Sequence, residues 1–193
     1  MLRRARNDDF IHQMPVAENF VSDLALSVTR QINASPVTVQ RGITEPEPLT
    51  QWFAPKPVEI TETEVDLAPS GIFNIVMKVP EHGEMRGPSG CVLLAESDKR
   101  FVWAAALGPT FVPNPPHTNP DDFYLTVELR HEARDGGCFH TTHALHGTAQ
   151  TVAAHKKMGF RDGWGTTTGQ LAQPSRKIWG KNKKACQIAF QSF

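Results

Sequence analysis

Phe160, Trp164, Thr168 and Leu171 recur at i, i+4, i+8 and i+11 near the C-terminal end of the chain, tracing one stripe of a 3.6-residue period. A helix carrying so much aromatic volume on one face must cover a broad apolar surface. Yet Gly159, Gly163, Gly165 and Gly169 fall in the same window, and glycine inside a helix costs about 1 kcal/mol relative to alanine. The spacing predicts one long C-terminal helix starting near His155. Its glycines would either let a neighbouring backbone come close or leave side-chain volume out. Both needs arise where a helix covers a curved sheet and leaves a cavity between them.

The sheet is legible as alternation of period two. Phe73, Ile75, Met77 and Val79 share one face of a run whose other face carries Asn74 and Lys78. Phe123, Leu125, Val127 and Leu129 point one way, and Tyr124, Thr126, Glu128 and Arg130 the other. Antiparallel strands with one wet face require this pattern. Gly83, Ser89-Gly90, Asp98 and Asp135-Gly136-Gly137 supply turn signals between runs. Between Pro109 and Pro120 prolines recur, which forbids strand pairing and predicts a long loop.

The 193 residues fit one domain with an arm over 1–20, a domain over 21–174 and a tail over 175–193. Lys and Arg balance Asp and Glu at 20 each, which excludes a general binder of nucleic acid or anionic membrane. The 3 cysteines, Cys91, Cys138 and Cys186, form neither a paired framework nor a metal-ligand spacing. A cytoplasmic setting follows. No run has the length of a membrane span, and Asn7-Asp8-Asp9 interrupt the basic start where a signal peptide would be apolar. The tail combines Lys177, Lys181, Lys183 and Lys184 with Ile178, Trp179, Ile188, Phe190 and Phe193, a composition suited to docking on the domain or on a partner.

No hydrolase elbow, phosphate loop or dinucleotide fingerprint is present. His140, Thr142, Ala144 and His146 alternate onto one strand face, and His155 stands at the mouth of the last helix. His143, His146 and His155 are the weak candidates for acid–base groups. No metal site is expected, because Asp162 lies two helical turns past His155. Thr141, His143, Arg30 and Glu64 are candidate polar anchors, depending on which strand faces turn inward. Arg30 shares the phase of Leu24, Leu26, Val28 and Ile32 and so points inward, where it would either pair with Glu62, Glu64 or Asp66 or bind an anion, the ion pair being the expected outcome.

Several segments in register resemble one family. They are Thr29-Arg30 with Ala34-Ser35-Pro36, Trp52-Phe53-Ala54-Pro55, Val65-Asp66-Leu67-Ala68-Pro69-Ser70-Gly71-Ile72-Phe73, Gly90-Cys91-Val92-Leu93, Leu107-Gly108-Pro109, and the stretch from His155 to Leu171. Together they resemble the activator of heat-shock-protein-90 ATPase-like family, within the SRPBCC (START-like) ligand-binding superfamily. The usual Arg-Pro-Gly-Gly is Ala68-Pro69-Ser70-Gly71 here. The resemblance implies an α+β helix-grip fold: a curved antiparallel sheet wrapped around a long C-terminal helix, with two short helices after the first strand. It also implies a hydrophobic cavity between sheet and helix. Trp52, Phe53, Phe73, Met77, Trp103, Phe123, His143, Phe160 and Trp164 are its candidate ligand-binding residues.

The resulting expectation is a small cytoplasmic protein that binds an apolar or lipid-like small molecule, with no cofactor. Its gate would be the proline-rich loop and the Gly-rich helix start. Homodimers are common in this fold. Two alternatives remain: a co-chaperone-like interaction module, and a cavity-based cyclase or lyase using histidine.

Overall fold

The computed structural model describes residues 23–119 and 122–173. The expected arm and tail lie outside the described residues. The chain runs β1 (Ala25–Ile32), α1 (Pro36–Thr44), α2 (Pro46–Leu49), β2 (Glu59–Val65), β3 (Ile72–Val79), β4 (Gly83–Arg86), β5 (Gly90–Glu96), β6 (Arg100–Ala104), β7 (Thr126–Arg134), β8 (Gly137–Leu145) and α3 (Ala149–Lys157). A further helix, α4, covers residues 160–173.

The strands form one 8-stranded sheet in the order β1-β8-β7-β6-β5-β3-β2, every pairing antiparallel, with β4 paired to β3. β1 and β2 therefore stand at opposite edges although only α1 and α2 separate them in sequence. Ser35 starts α1 by accepting a bond from the Thr38 N–H at 3.3 Å, and Pro36 occupies the first turn. Glu45 is extended, as a residue before proline must tend to be, so α1 ends there. The positive φ values of Asp98 and Gly136 close the β5–β6 and β7–β8 hairpins.

The core lies between the sheet and the helices. Ile32, Val39, Ile43, Leu49, Trp52, Phe101, Leu129 and Leu171 are fully buried in it. The indole of Trp52 gives up no hydrogen bond there, because its Nε1–H donates to Gly42 O at 2.7 Å. The expected stripe is confirmed: Phe160, Thr168 and Leu171 are buried, and Trp164 packs against the core.

The single long helix is not. Gly159 has φ +92°, its N–H donates to Lys156 O at 3.1 Å, and that of Met158 to Ala154 O at 2.9 Å. This is a left-handed glycine ending α3. α4 then starts afresh, with Gly163 N–H donating to Gly159 O at 2.9 Å. Helical periodicity alone could not separate one helix from two sharing a direction of burial.

Close approach of a neighbouring backbone, one of the two expected reasons for the glycines, is not seen. A Cβ on Gly163 or Gly165 would meet nothing within 4 Å, and one on Gly169 would touch Arg30 Nη2 at an ordinary 3.6 Å. No backbone approaches them closely.

Candidate ligand-binding site

Rings from four separate elements meet over the sheet. Phe73 of β3 and Trp103 of β6 lie 4.4 Å apart between centroids. Phe53, in the segment after α2, reaches Phe73 at 5.8 Å, Trp103 at 5.9 Å and Trp164 of α4 at 5.9 Å, the last edge-on. Such offset and edge-on pairs add about 0.5–1.5 kcal/mol each beyond their burial. Phe53 is placed by Gln170, to which the sequence assigned no role. Its Nε2 donates to Trp52 O at 2.9 Å and Ala54 O at 2.7 Å, and its Oε1 accepts from Lys56 N–H at 3.2 Å. One α4 side chain thus fastens the whole Trp52–Lys56 segment.

A second apolar cluster, Leu26, Ala144, Val152 and Phe160, adjoins the first, and Leu125 and Trp164 pack against both. At its margin His146 Nδ1 lies 3.2 Å from Leu24 O, and His146 Nε2 lies 2.9 Å from His155 Nδ1. A carbonyl oxygen only accepts, so His146 carries its proton on Nδ1. In the neutral His146 ring, Nε2 then accepts from His155 Nδ1–H, which leaves the lone pair of His155 on Nε2. Phe123 stands 5.6 Å from His146 and 5.3 Å from His155, and Phe160 stands 5.0 Å from His155. Burial, reinforced by the His146 ring, lowers the His155 pKa to about 4. His155 is therefore neutral at physiological pH and offers a hydrogen-bond acceptor, not a charge.

The alternation also brings in a histidine that the sequence reading passed over. His131 continues the inward phase of Val127 and Leu129 and stands opposite His140 in the β7–β8 register. The two rings stack with centroids 5.1 Å apart and Nδ1 atoms 3.2 Å apart, and His140 Nε2 reaches Thr142 Oγ1 at 3.3 Å. His131 Nε2 is buried without a partner. Burial drives the His131 pKa down to about 4, and burial plus the His131 ring drives that of His140 well below its usual value. Extending the period-two count by one more inward position would have found this pair.

Several expected site residues lie elsewhere. His143 and Thr141 occupy the β8 face opposite His140 and bond outward to the edge strand, His143 Nδ1 to Ser27 Oγ at 2.7 Å and Thr141 to Thr29 at 3.0 Å. With period two, a strand that turns His140 and Thr142 inward cannot also turn these in. Glu64 is exposed on β2. Met77 lies past the ring cluster, between Ile60 of β2 and Met85 of β4. Arg30 has none of the expected carboxylates in reach, because β2 is at the far edge of the sheet. It bonds instead to α4, Nε to Thr168 Oγ1 at 3.3 Å and Nη2 to Gly165 O at 3.0 Å.

The proline-rich loop is also fastened. Asn114 Nδ2 donates to Ser89 O at 2.9 Å and Ala105 O at 2.8 Å, its N–H bonds Ala106 O at 3.0 Å, and the Tyr124 hydroxyl donates to Pro115 O. Among the described residues no group of three or more His, Cys, Asp or Glu converges as metal ligands would. Nor is any described helix long and apolar enough to cross a membrane.

A curled antiparallel sheet closed by a C-terminal helix, with short helices following the first strand, defines a helix-grip protein. The chain belongs to the family described as "Activator of Hsp90 ATPase homolog 1-like protein", whose sequence model matches residues 33–174. Among solved structures it is similar to a Nitrosomonas europaea protein, 34% identical over 82% of this chain and 98% of the other, with a TM-score of 0.76. A Mycobacterium smegmatis protein shares the fold at 20% identity, 78% and 90% coverage and a TM-score of 0.63. So does an AHSA1-like protein from Aeromonas hydrophila at 15% identity, 80% and 93% coverage and a TM-score of 0.58. No curated protein matches the sequence.

Proposed function

We propose that this protein is a binding module holding an apolar or amphipathic small molecule between the sheet and α4, in a reduced cytoplasmic compartment. The observation that carries the reading is the position of Trp164. It is half-buried, meets Phe53 edge-on and packs against both apolar clusters. A ligand that parted Phe53 from Trp164 would exchange ring–ring contacts for ring–ligand contacts and join the two clusters into one chamber. Phe73 and Trp103 would form its floor, and Phe123, Phe160 and the His146–His155 pair its polar end. Opening would occur at α4, hinged at Gly159, since Asn114 secures the proline-rich loop. The unpaired, buried Cys91 and Cys138 suit a reduced compartment.

Native mass spectrometry of the purified protein beside its denatured spectrum tests this. Expected is a non-covalent adduct of small-molecule mass, lost on denaturation, on a monomer or a homodimer. A protein that carries no adduct, and takes up none after incubation with a fatty-acid and aromatic mixture, overturns the reading.

A second reading is favoured by one loop pair. Thr110 N–H bonds Ser70 O at 2.8 Å, both residues and Phe111 have positive φ, and Leu67, Phe111 and Val112 are exposed around them. Left-handed backbone at non-glycine positions is costly, and here it presents apolar side chains to solvent. Such a surface fits a protein partner of the heat-shock ATPase class that the family name denotes. ATPase stimulation lost in Phe111→Ser would support it, and no stimulation by the intact chain would remove it.

A further inference from the structure

We propose that the cleft between the edge strand β1 and the outer side of α4 is a binding site for a small oxyanion, a carboxylate or a phosphate. The site is separate from the apolar chamber and does not depend on it. The cleft has a volume of about 410 Å³ and is lined by Arg30, Arg161, Asp162, Gly165, Thr166 and Gly169.

Arg30 reaches it from β1, and its guanidinium is held in place by Thr168 Oγ1 at 3.3 Å and Gly165 O at 3.0 Å. Thr168 is itself fixed, its hydroxyl bonded to Trp164 O at 2.7 Å. The flexible side chain has therefore already lost much of the freedom that binding would otherwise cost. A guanidinium carries five N–H donors in a planar fork, and the bonds to α4 occupy only part of it. Gly169 lies against the guanidinium, with a would-be Cβ 3.7 Å from Arg30 Cζ. Arg161 and Thr166 add a second cation and a hydroxyl donor from the same helix.

Among the described residues no carboxylate stands within ion-pair distance of either guanidinium, although Asp162 lines the same cleft. Two arginines against one aspartate leave the cleft net positive, in a protein whose formal charge is +0. An oxyanion bridging Arg30 and Arg161 would make the charge-assisted bonds these groups lack. Asp162 would oppose it, which weakens binding and gives the test an effect of opposite sign.

The experiment is an NMR titration of the full chain at low salt with inorganic phosphate and, separately, acetate, following the arginine Nε–Hε signals. Expected are saturable shifts at Arg30 and Arg161, weakened about fivefold or more by Arg161→Ala. Asp162→Asn should tighten binding up to about fivefold, the size of one unit charge removed at about 4 Å in high dielectric. Arg161 and Asp162 are exposed and unpaired among the described residues, so both variants should keep the parent amide spectrum. Saturation by phosphate alone would assign a phosphate, and saturation by both a general oxyanion site. Shifts that do not saturate, or a midpoint moved by neither variant, overturn the proposal.

Discussion

The two sides of α4 follow opposite rules. On its inner side every position is filled by neighbouring matter: Thr168 and Leu171 have no exposed surface, and Trp164 is bounded by Phe53. On its outer side Gly163 and Gly165 face open space. Glycines in a helix invite the explanation that a neighbour presses close, and for this helix it is wrong. Volume is dictated where the helix meets the sheet and undictated where it meets the cleft beside Arg30. Substitutions on the inner side should therefore cost stability in proportion to lost volume, and those on the outer side should not.

The largest expected effect is Trp103→Ala. The ring is 6% exposed and touches Phe53, Phe73 and Phe101, so its removal should destabilise by about 3–5 kcal/mol in urea unfolding. A loss below about 1 kcal/mol would mean the inner side is loosely filled, contrary to the comparison. Gln170→Ala is next. It deprives Trp52 O, Ala54 O and Lys56 N–H of partners and should cost about 1–3 kcal/mol. Because Phe53 loses its support, the tryptophan emission spectrum should shift too.

Acid sharpens the contrast from another direction. His131 and His140 have folded pKa values below that of an unfolded histidine, so the unfolded chain binds more protons over the interval. Their contribution is complete above about pH 6.5 and is lost as pH falls below it, that of His131 towards pH 4 at roughly 1.4 kcal/mol per pH unit. Urea midpoints between pH 7 and pH 5 should fall accordingly, and a His131→Phe, His140→Phe double variant should flatten that dependence. An unchanged slope would place the titration elsewhere.

The glycine pair gives the smallest effects, with opposite signs. Gly159→Ala should destabilise by about 1–2 kcal/mol, since φ is +92° there. Gly163→Ala, which meets open space, should stabilise by up to about 1 kcal/mol. Thermal unfolding of the two variants side by side checks both.

The sequence revealed what repeats and hid what depends on register across the sheet. The inward phase of Val127 and Leu129, and the α4 stripe from Phe160 to Leu171, followed from period alone. The break at Gly159 did not, because burial continues across it. Nor did the fate of Arg30: its phase put it on the side of the sheet that meets α4, but the side chain is exposed, and its partner depended on β1 and β2 standing at opposite edges, a fact of topology. His143 was misplaced through a free choice of strand face, which the neighbouring Thr142 and His140 now fix. Gln170 carries no motif at all, since its role arises only once α4 and the segment after α2 are side by side.

The central claim is that Phe53 and Trp164 part to admit an apolar ligand. Its most direct test is titration with N-phenyl-1-naphthylamine, an uncharged fluorescent probe, read through energy transfer from tryptophan. Saturable uptake at one site per chain is expected, with strong transfer from the intact protein. Trp164→Ala should change the affinity, and Arg161→Ala should leave it unaltered. Uptake that never saturates, or that is indifferent to Trp164, would contradict a chamber between sheet and helix.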